Sequence, residues 1–247
     1  MATTRRRASL RGITRCRLDG GYVTELELSY DNHPLEVIPF AQNGGDALSY
    51  GWVLLAPELD LDDLPCVSFA PEWEGAVWLG DDTKGALETL LVGFAHGNDK
   101  VDRSQRDALC KALGLAPDYA RKDISGGAFV SAPRQRGRRK RGRTLSPVVP
   151  AGYRFEATKD GIGVLAPSSA FAPNPFDTRE LVDEAATLAA ARKFLARKKP
   201  ASALVALKQG HFWEAPTQIV EMRREAYLAL RRPALAARAT SWLERKR

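Results

Sequence analysis

Residues 37–56 read VIPFAQNGGDALSYGWVLLA, two apolar runs on either side of a polar turn that contains two glycines. A short apolar run bounded by turn residues is typical of a buried strand. Pro39 has no N–H for a sheet ladder, so the first strand should end there or lie at the edge of a sheet. Two more short strands are predicted at residues 66–69 and 76–79. This part of the chain should therefore form a small sheet.

Two helices are predicted directly after these strands. The first runs from Thr83 to Phe94, with Asp81 or Asp82 as its cap. The second ends at Gly114, and its apolar residues are expected to face inward. These are Ala108, Leu109, Ala112 and Leu113. Because strands come first and helices last, the predicted fold class is α+β, a small mixed or antiparallel sheet with packed helices, followed by a separate α-helical hairpin-repeat region.

An internal repeat predicts how that last region is built. Residues 194–204, FLARKKPASAL, align with residues 227–237, YLALRRPALAA, at an offset of 33 residues. Each copy has the pattern of a helix end, a basic turn and a second helix that begins with proline, where a missing N–H costs least. A period near 34 with this layout resembles tetratricopeptide-type repeats, although a basic pair replaces the small residue usual in the turn. We therefore expect helical hairpins packed in series.

Charge is segregated along the chain. Residues 18–99 hold 16 acidic side chains and one basic side chain, Lys84, a net charge of −15, whereas the rest of the chain carries +22. A patch of one sign raises the local concentration of partners of the opposite sign. The acidic region therefore predicts a basic protein as partner. The basic segments on either side predict nucleic acid, or the chain's own acidic region, as theirs.

The composition divides the chain into five parts. They are a basic arm (1–17), an acidic α+β domain (18–124), a basic Pro/Gly linker (125–151), a short β-hairpin and loop (152–177) and a helical repeat-like region (178–247). Asp160-Gly161 is a strong hairpin turn signal. The linker carries like charges that repel one another and cannot build a core. The arm is either a solvated tail or a binding element.

No catalytic or metal-binding constellation is visible in the sequence. The three histidines do not lie at ligand spacing from cysteines or carboxylates, so solvated or helix-end positions are expected. They are His33, His96 and His211. The acidic cluster at residues 60–63 lacks the glycine and the closing glutamate of a calcium loop. The sequence therefore predicts no enzyme, no cofactor and no metal site, with a site assembled from distant residues as the alternative.

The cysteines and the hydropathy pattern bear on the cellular compartment. Cys16, Cys66 and Cys110 are odd in number and widely spaced, so reduced thiols are expected, with Cys66 in a strand and Cys110 on a helix. No run approaches the roughly 18 apolar residues of a membrane span, and the basic start lacks the apolar stretch of a secretory signal. A cytoplasmic protein without a membrane partner is predicted.

The acidic region resembles the SUKH superfamily. The matching segments are residues 37–46, Tyr50–Val53, Pro65–Phe69 and the helix at 83–94, in a resemblance that spans about residues 18–97. In that family an IPFA…GG stretch leads into the central strands and the closing helix packs on the sheet, but the family's N-terminal helix is not obvious here. The resemblance implies a small α+β domain without catalytic residues, and in bacteria an immunity protein that neutralises a toxin, often a nuclease.

The expected partner-binding residues are loop acids and an aromatic anchor. They are Asp60, Asp62, Asp63, Glu72, Trp73 and Glu74. A nuclease holds polyphosphate in a basic cleft, so an acidic surface can occupy that cleft as a phosphate mimic. The alternative is that the carboxylates are ordinary solvated surface and that Trp73 belongs to the core.

A different function is predicted for the linker, together with the basic helical tail. Its cations could neutralise the phosphates of nucleic acid, which would give a steep salt dependence. They are Arg134, Arg136, Arg138, Arg139, Lys140, Arg141 and Arg143. The linker has no interleaved aromatic residues, so base-specific reading is not expected. In a third hypothesis the linker folds back on the acidic domain, which requires contact within the Debye length of about 8 Å.

Overall fold

The computed structural model describes residues 17–18, 21–22, 34–42, 48–59, 64–70, 75–96, 103–119, 149–173, 181, 183–209 and 215–246. In chain order its elements are β1 (Arg17–Leu18), β2 (Gly21–Tyr22), β3 (Val37–Gln42), β4 (Ser49–Val53), β5 (Cys66–Phe69), β6 (Val77–Gly80), α1 (Thr83–His96), α2 (Arg103–Leu113), β7 (Tyr153–Glu156), β8 (Val164–Pro167), a 3-10 turn (Ser168–Ala170), α3 (Glu184–Ala196), α4 (Pro200–Leu207), α5 (Thr217–Ala229) and α6 (Pro233–Arg245). An antiparallel sheet with packed helices and C-terminal helical hairpins confirms the predicted α+β class.

The main sheet contains four antiparallel strands in the order β3-β4-β5-β6. Strand β3 lies at one edge of this sheet, as Pro39 predicts. A bulge follows the proline, because Pro39 pairs with Gly51 whereas Ala41 pairs with Tyr50. Glycine is required at position 51, since a Cβ there would lie 2.4 Å from Cγ1 of Val37. Of the predicted turn residues 42–46, Gln42 belongs to β3 and residues 43–46 lie outside the described ranges.

Helix α1 closes one face of the sheet, as expected. Asp82 caps it, with Oδ1 accepting a hydrogen bond from the backbone N–H of Gly85 at 2.6 Å. Trp52 of β4 donates from Nε1 to Oγ1 of Thr83 at 2.9 Å. Ala86 and Leu90 of the helix are buried in one cluster with Trp52. The predicted cap Asp82 is therefore confirmed, and α1 buries Ala86 and Leu90 against the sheet.

Helix α2 ends as predicted but does not bury the predicted face. Gly114 follows it with a φ of +62°, the left-handed conformation of a glycine stop. Leu109 and Leu113 are 45% and 51% exposed, and Ala108 and Ala112 are exposed as well. The expectation that these four residues face inward is wrong. A hydrophobic period of 3.6 residues identifies the apolar residues that share one face of a helix. It does not show whether another element covers that face.

The antiparallel β7–β8 hairpin lies between the sheet and the C-terminal helices. Its connection contains Asp160 and Gly161, as predicted, and the backbone N–H of Ala76 donates to the carbonyl of Asp160 at 2.7 Å. Leu165 of β8 is buried in the core of the sheet, and Ala166 is buried in the core that the helices form. Successive strand residues point to opposite faces, so this one hairpin contributes to both cores.

The C-terminal helices form two hairpins with equivalent turns. Helices α3 and α4 make the first hairpin and α5 and α6 the second, and α4 and α6 each begin with a proline. Lys198 and Arg231, 33 residues apart, adopt positive φ angles of 57° and 59°. Each turn is closed by the same backbone hydrogen bond, Lys199 N to Phe194 O at 2.9 Å and Arg232 N to Tyr227 O at 2.8 Å. The repeat in sequence is therefore a repeat in backbone conformation.

Candidate functional site

The partner-binding residues that the sequence predicts lie outside the described ranges. This holds for Asp60, Asp62, Asp63, Glu72, Trp73 and Glu74, and for the linker residues Arg134, Arg136, Arg138, Arg139, Lys140, Arg141 and Arg143. Their roles stay predictions. The described part of the acidic domain nevertheless carries a surface feature of the predicted sign.

Four carboxylates line one depression beside β6 and α1. It has a volume of about 310 Å³ and is formed by β6, α1 and the segment that follows α2. The carboxylates belong to Asp81, Asp82, Glu88 and Asp118, and we call this feature the acidic depression. The half-buried Trp78 adds apolar surface, and none of the described residues that line the depression is basic. Its volume is at the lower end of the roughly 300–1,000 Å³ typical of ligand pockets, enough for a side chain of a partner.

Two of these carboxylates also hold the depression in shape. Asp82 caps α1, and Oε1 of Glu88 accepts a hydrogen bond from the backbone N–H of Ala116 at 2.9 Å. The second bond fixes the segment after α2 against α1. Asp81 and Asp118 are exposed. Carboxylates accept hydrogen bonds from ammonium and guanidinium groups, so the arrangement is suited to recognising a cation.

A second polar cluster lies where the sheet, the hairpin and the helices meet. It consists of Glu36, Asp160, Lys208, Arg223 and Tyr227, which are each between 1% and 5% exposed, and we call it the buried junction. Nζ of Lys208 donates to Oε1 of Glu36 at 2.5 Å and lies 3.3 Å from Oδ2 of Asp160. The hydroxyl of Tyr227 donates to the same Oε1 at 2.7 Å. The charges of the two acidic and two basic side chains cancel, which reduces the free-energy cost of burying them.

The electrostatics of the buried junction indicate a structural role. Burial alone would raise the pKa of Glu36, but the charges of Lys208 and Arg223 and hydrogen bonds from Lys208 and Tyr227 lower this pKa to about 2. Burial raises the pKa of Tyr227 well above its ordinary value, and the charge of Glu36 raises it further. Glu36 is therefore ionised and Tyr227 neutral at neutral pH. Because all five side chains are buried, a substrate cannot reach them.

Arg232 makes a second connection between the helices and the rest of the fold. Its Nε and Nη2 donate to the two carboxylate oxygens of Glu58 at 3.0 and 2.7 Å. Nη2 also donates to the carbonyl of Leu165 at 2.6 Å. Arg238 reaches the carbonyl of Val37 in the edge strand. The charge of Glu58, a residue of the acidic region, is thus neutralised by a basic side chain of the same chain.

The sequence contained a signal for the buried junction that spacing alone did not reveal. Glu36 interrupts an apolar run between Leu35 and Val37, and Lys208 directly follows the apolar helix α4. A charged residue within an apolar run requires a buried partner of opposite charge. These two residues are 172 positions apart, so the pairing depends on the tertiary fold.

The two described cysteines are free thiols, Cys66 in β5 and Cys110 on α2, where the sequence predicts them, whereas Cys16 lies outside the described ranges. The pKa of Cys66 is raised to about 12, mainly by burial, with a hydrogen bond with Thr83 that lowers it and the nearby charge of Asp82 that raises it. A thiol that stays protonated at neutral pH is a poor nucleophile. Among the residues with assigned positions, no three His, Cys, Asp or Glu side chains are grouped as metal ligands.

None of the helices in the described ranges is both long and apolar enough to cross a bilayer. The chain matches no protein-family model and no curated protein.

Proposed function

We propose that this chain is a non-catalytic binding module whose acidic depression receives a basic side chain of a partner protein. The supporting observation is the convergence of four carboxylates on one depression of about 310 Å³. Three of these carboxylates, those of Asp81, Asp82 and Glu88, belong to the region of net charge −15, residues 18–99. The carboxylates hydrogen bond the cationic head of a lysine or arginine, while Trp78 contacts its aliphatic stem.

The nature of the partner is a more specific proposal. The SUKH resemblance supports an immunity protein that neutralises a basic toxin of the nuclease type. A nuclease cleft that binds polyphosphate is basic, and an acidic surface competes for it while speeding association at low salt. The predicted contact residues Asp60, Asp62, Asp63, Glu72, Trp73 and Glu74 belong to the same proposal.

Affinity capture with the full chain tests this function. Proteins retained from a lysate of the source organism are identified, and the affinity of each purified candidate is measured at low and high salt. The test variant is Asp81→Lys/Asp118→Lys, which leaves the cap Asp82 and the wall residue Glu88 in place. The control is Asp107→Lys/Glu225→Lys, which makes the same charge change at two exposed positions outside the depression.

We expect a basic protein that binds in a stoichiometric complex, more weakly at high salt. The test variant should weaken binding by about tenfold or more, since reversing charges at an interface replaces attraction with repulsion. The control should bind like the original chain. An acidic partner, or equal affinities of the two variants, would contradict the proposal.

The nucleic-acid alternative is tested separately. Arg134, Arg136, Arg138, Arg139, Lys140, Arg141 and Arg143 are replaced by glutamine in the full chain. If these residues bind phosphates, a gel shift with duplex DNA should disappear and the steep salt dependence should be lost. A shift that persists would exclude the linker as the binding element.

A further inference from the structure

We propose that a second depression, between the turns of the two helical hairpins, binds an acidic peptide segment of a partner protein that carries an apolar side chain. This depression has a volume of about 450 Å³ and is formed by the end of β8 and both turns. Its apolar lining includes Ala170, Leu195, Pro200 and Leu230, and its basic lining residues are Lys198 and Arg231. We call it the turn groove.

The two cations of each turn have different positions. The second basic residue of each turn points inward. Nζ of Lys199 donates to the carbonyl of Ser169 at 2.8 Å, and Arg232 binds Glu58. The first members, Lys198 and Arg231, are exposed and line the turn groove. The inward cations attach the helices to the rest of the fold, whereas the outer pair makes no such attachment among the described contacts.

The fold places the outer pair with little freedom of the backbone. Lys198 and Arg231 both have positive φ, a conformation in which glycine is usual at a helix end. Cations are favoured at helix C-termini, which accounts for one positive charge in each turn. Because the two turns have the same conformation, Lys198 and Arg231 both line one apolar groove. An anionic group bound there therefore contacts two cations.

The lining favours a peptide over a nucleic acid. None of the described residues that line the turn groove is aromatic, so no base-stacking platform is present there. Its apolar lining area instead suits an aliphatic or aromatic side chain, flanked by carboxylates that meet Lys198 and Arg231. The turn groove and the acidic depression carry opposite charges and share no lining residue.

Fluorescence anisotropy with the full chain tests the proposal. The probes are labelled acidic peptides of equal length with a central leucine, phenylalanine or serine, a basic peptide with a central leucine, and a single-stranded oligonucleotide. The charge variant is Lys198→Glu/Arg231→Glu, and Ala229→Trp fills the groove at a residue that lines it and is exposed. The matched control is Arg192→Glu/Arg224→Glu, two exposed positions outside the lining.

We expect the acidic peptides with leucine or phenylalanine to bind more tightly than the serine and basic peptides. Both test variants should weaken that binding by about tenfold, and the control should stay within about twofold. The charge-neutral variant Lys198→Gln/Arg231→Gln should give an intermediate loss, which keeps the test valid if charge reversal unfolds the chain. Asp81→Lys/Asp118→Lys should leave peptide binding unchanged.

Three results would overturn the proposal. One is equal binding of the leucine and serine peptides, because the groove would then recognise charge alone. Another is unchanged peptide binding in both Lys198→Glu/Arg231→Glu and Ala229→Trp. The third is binding of the oligonucleotide but of none of the peptides, which would assign the outer cations to phosphate.

Discussion

Lys208 and Glu36 are 172 residues apart in the chain, yet Nζ of Lys208 donates to Oε1 of Glu36 at 2.5 Å. The side chain of Lys208 is 0% exposed and that of Glu36 is 5% exposed. Charges removed from water in this way are stable only when they are paired and hydrogen bonded. The pair joins the residue that precedes the edge strand β3 to the end of α4, and the stability of the fold should depend on it more than on exposed charges.

Replacing the lysine of this pair should destabilise the fold strongly. Lys208→Met removes the cation that contacts both Glu36 and Asp160, and should lower the free energy of unfolding by roughly 3 kcal/mol. Urea denaturation measures this change. Lys84→Met is the control, since Lys84 is exposed on α1 and its loss should cost less than about 0.5 kcal/mol. Equal effects of the two substitutions would show that the buried pair contributes little.

The pKa of Glu36 predicts how stability depends on pH. A carboxyl group with a lower pKa in the folded state stabilises the fold above its unfolded-state pKa, and this contribution is lost as the pH falls. The pKa of Glu36 is about 2 against an ordinary value of 4.5, so we expect the loss between about pH 4.5 and pH 2. Unfolding free energies measured across this range should fall less steeply in Glu36→Gln, and parallel profiles would refute the assignment.

Arg232 and Arg231 are adjacent but should respond differently to the same substitution. Arg232→Lys cannot reproduce the paired hydrogen bonds to Glu58 together with the bond to Leu165, and it should cost about 1–2 kcal/mol. Arg231 is exposed, so Arg231→Lys should change stability by less than about 0.5 kcal/mol. Thermal denaturation of the two variants, compared with the original chain, provides the check.

Gly161 should be intolerant of any side chain. Its φ is +75°, and a Cβ there would lie 2.2 Å from the carbonyl oxygen of Ala76, a backbone atom that cannot move aside cheaply. Gly114 has a φ of +62° but open space around it. Gly114→Ala should therefore cost only the conformational strain of about 1 kcal/mol, whereas Gly161→Ala should cost at least about 2 kcal/mol more. Chemical denaturation measures the unfolding free energy of both variants. Equal losses in Gly161→Ala and Gly114→Ala would contradict this packing.

The two described cysteines should differ in reactivity. With Cys16→Ser as background, a thiol reagent at pH 8 should modify the partly exposed Cys110 rapidly and the buried Cys66 only after unfolding. The raised pKa of Cys66, about 12, keeps its thiol protonated at this pH. Mass spectrometry of peptides locates the label. Rapid labelling of Cys66 in the native chain would show that β5 is more accessible than its burial indicates.

The parts of the fold that were predictable are those that local chemistry determines. Three such signals act within a few residues along the chain. They are the missing N–H of Pro39, the cap Asp82 and the basic turns that precede a proline. The strands near 66–69 and 77–80, helix α1, the hairpin and both helical turns follow from such signals. The exposed face of α2 was not predictable, because its exposure depends on what the rest of the chain covers.

The sign of the charge at the candidate site was predictable, but the residues that form the site were not. The net charge of residues 18–99 indicated an acidic surface, and Asp81 and Asp82 were identified only as helix caps. The acidic depression also needs Glu88 and Asp118, which are brought together when Glu88 binds the backbone of Ala116, 28 residues away. Contacts over such separations follow from packing, which a pattern of nearby residues does not encode.

The buried junction also sets an order of events during protein synthesis. Glu36 leaves the ribosome early, Asp160 later and Lys208 later still, yet all three must meet before the junction is closed. A nascent chain that has produced only the four-stranded sheet therefore holds a carboxylate without its cation and apolar residues without their cover. Such contacts between distant positions slow folding. Until α4 has been made, the emerging sheet leaves apolar surface uncovered, which is the feature that makes incompletely folded chains prone to aggregate.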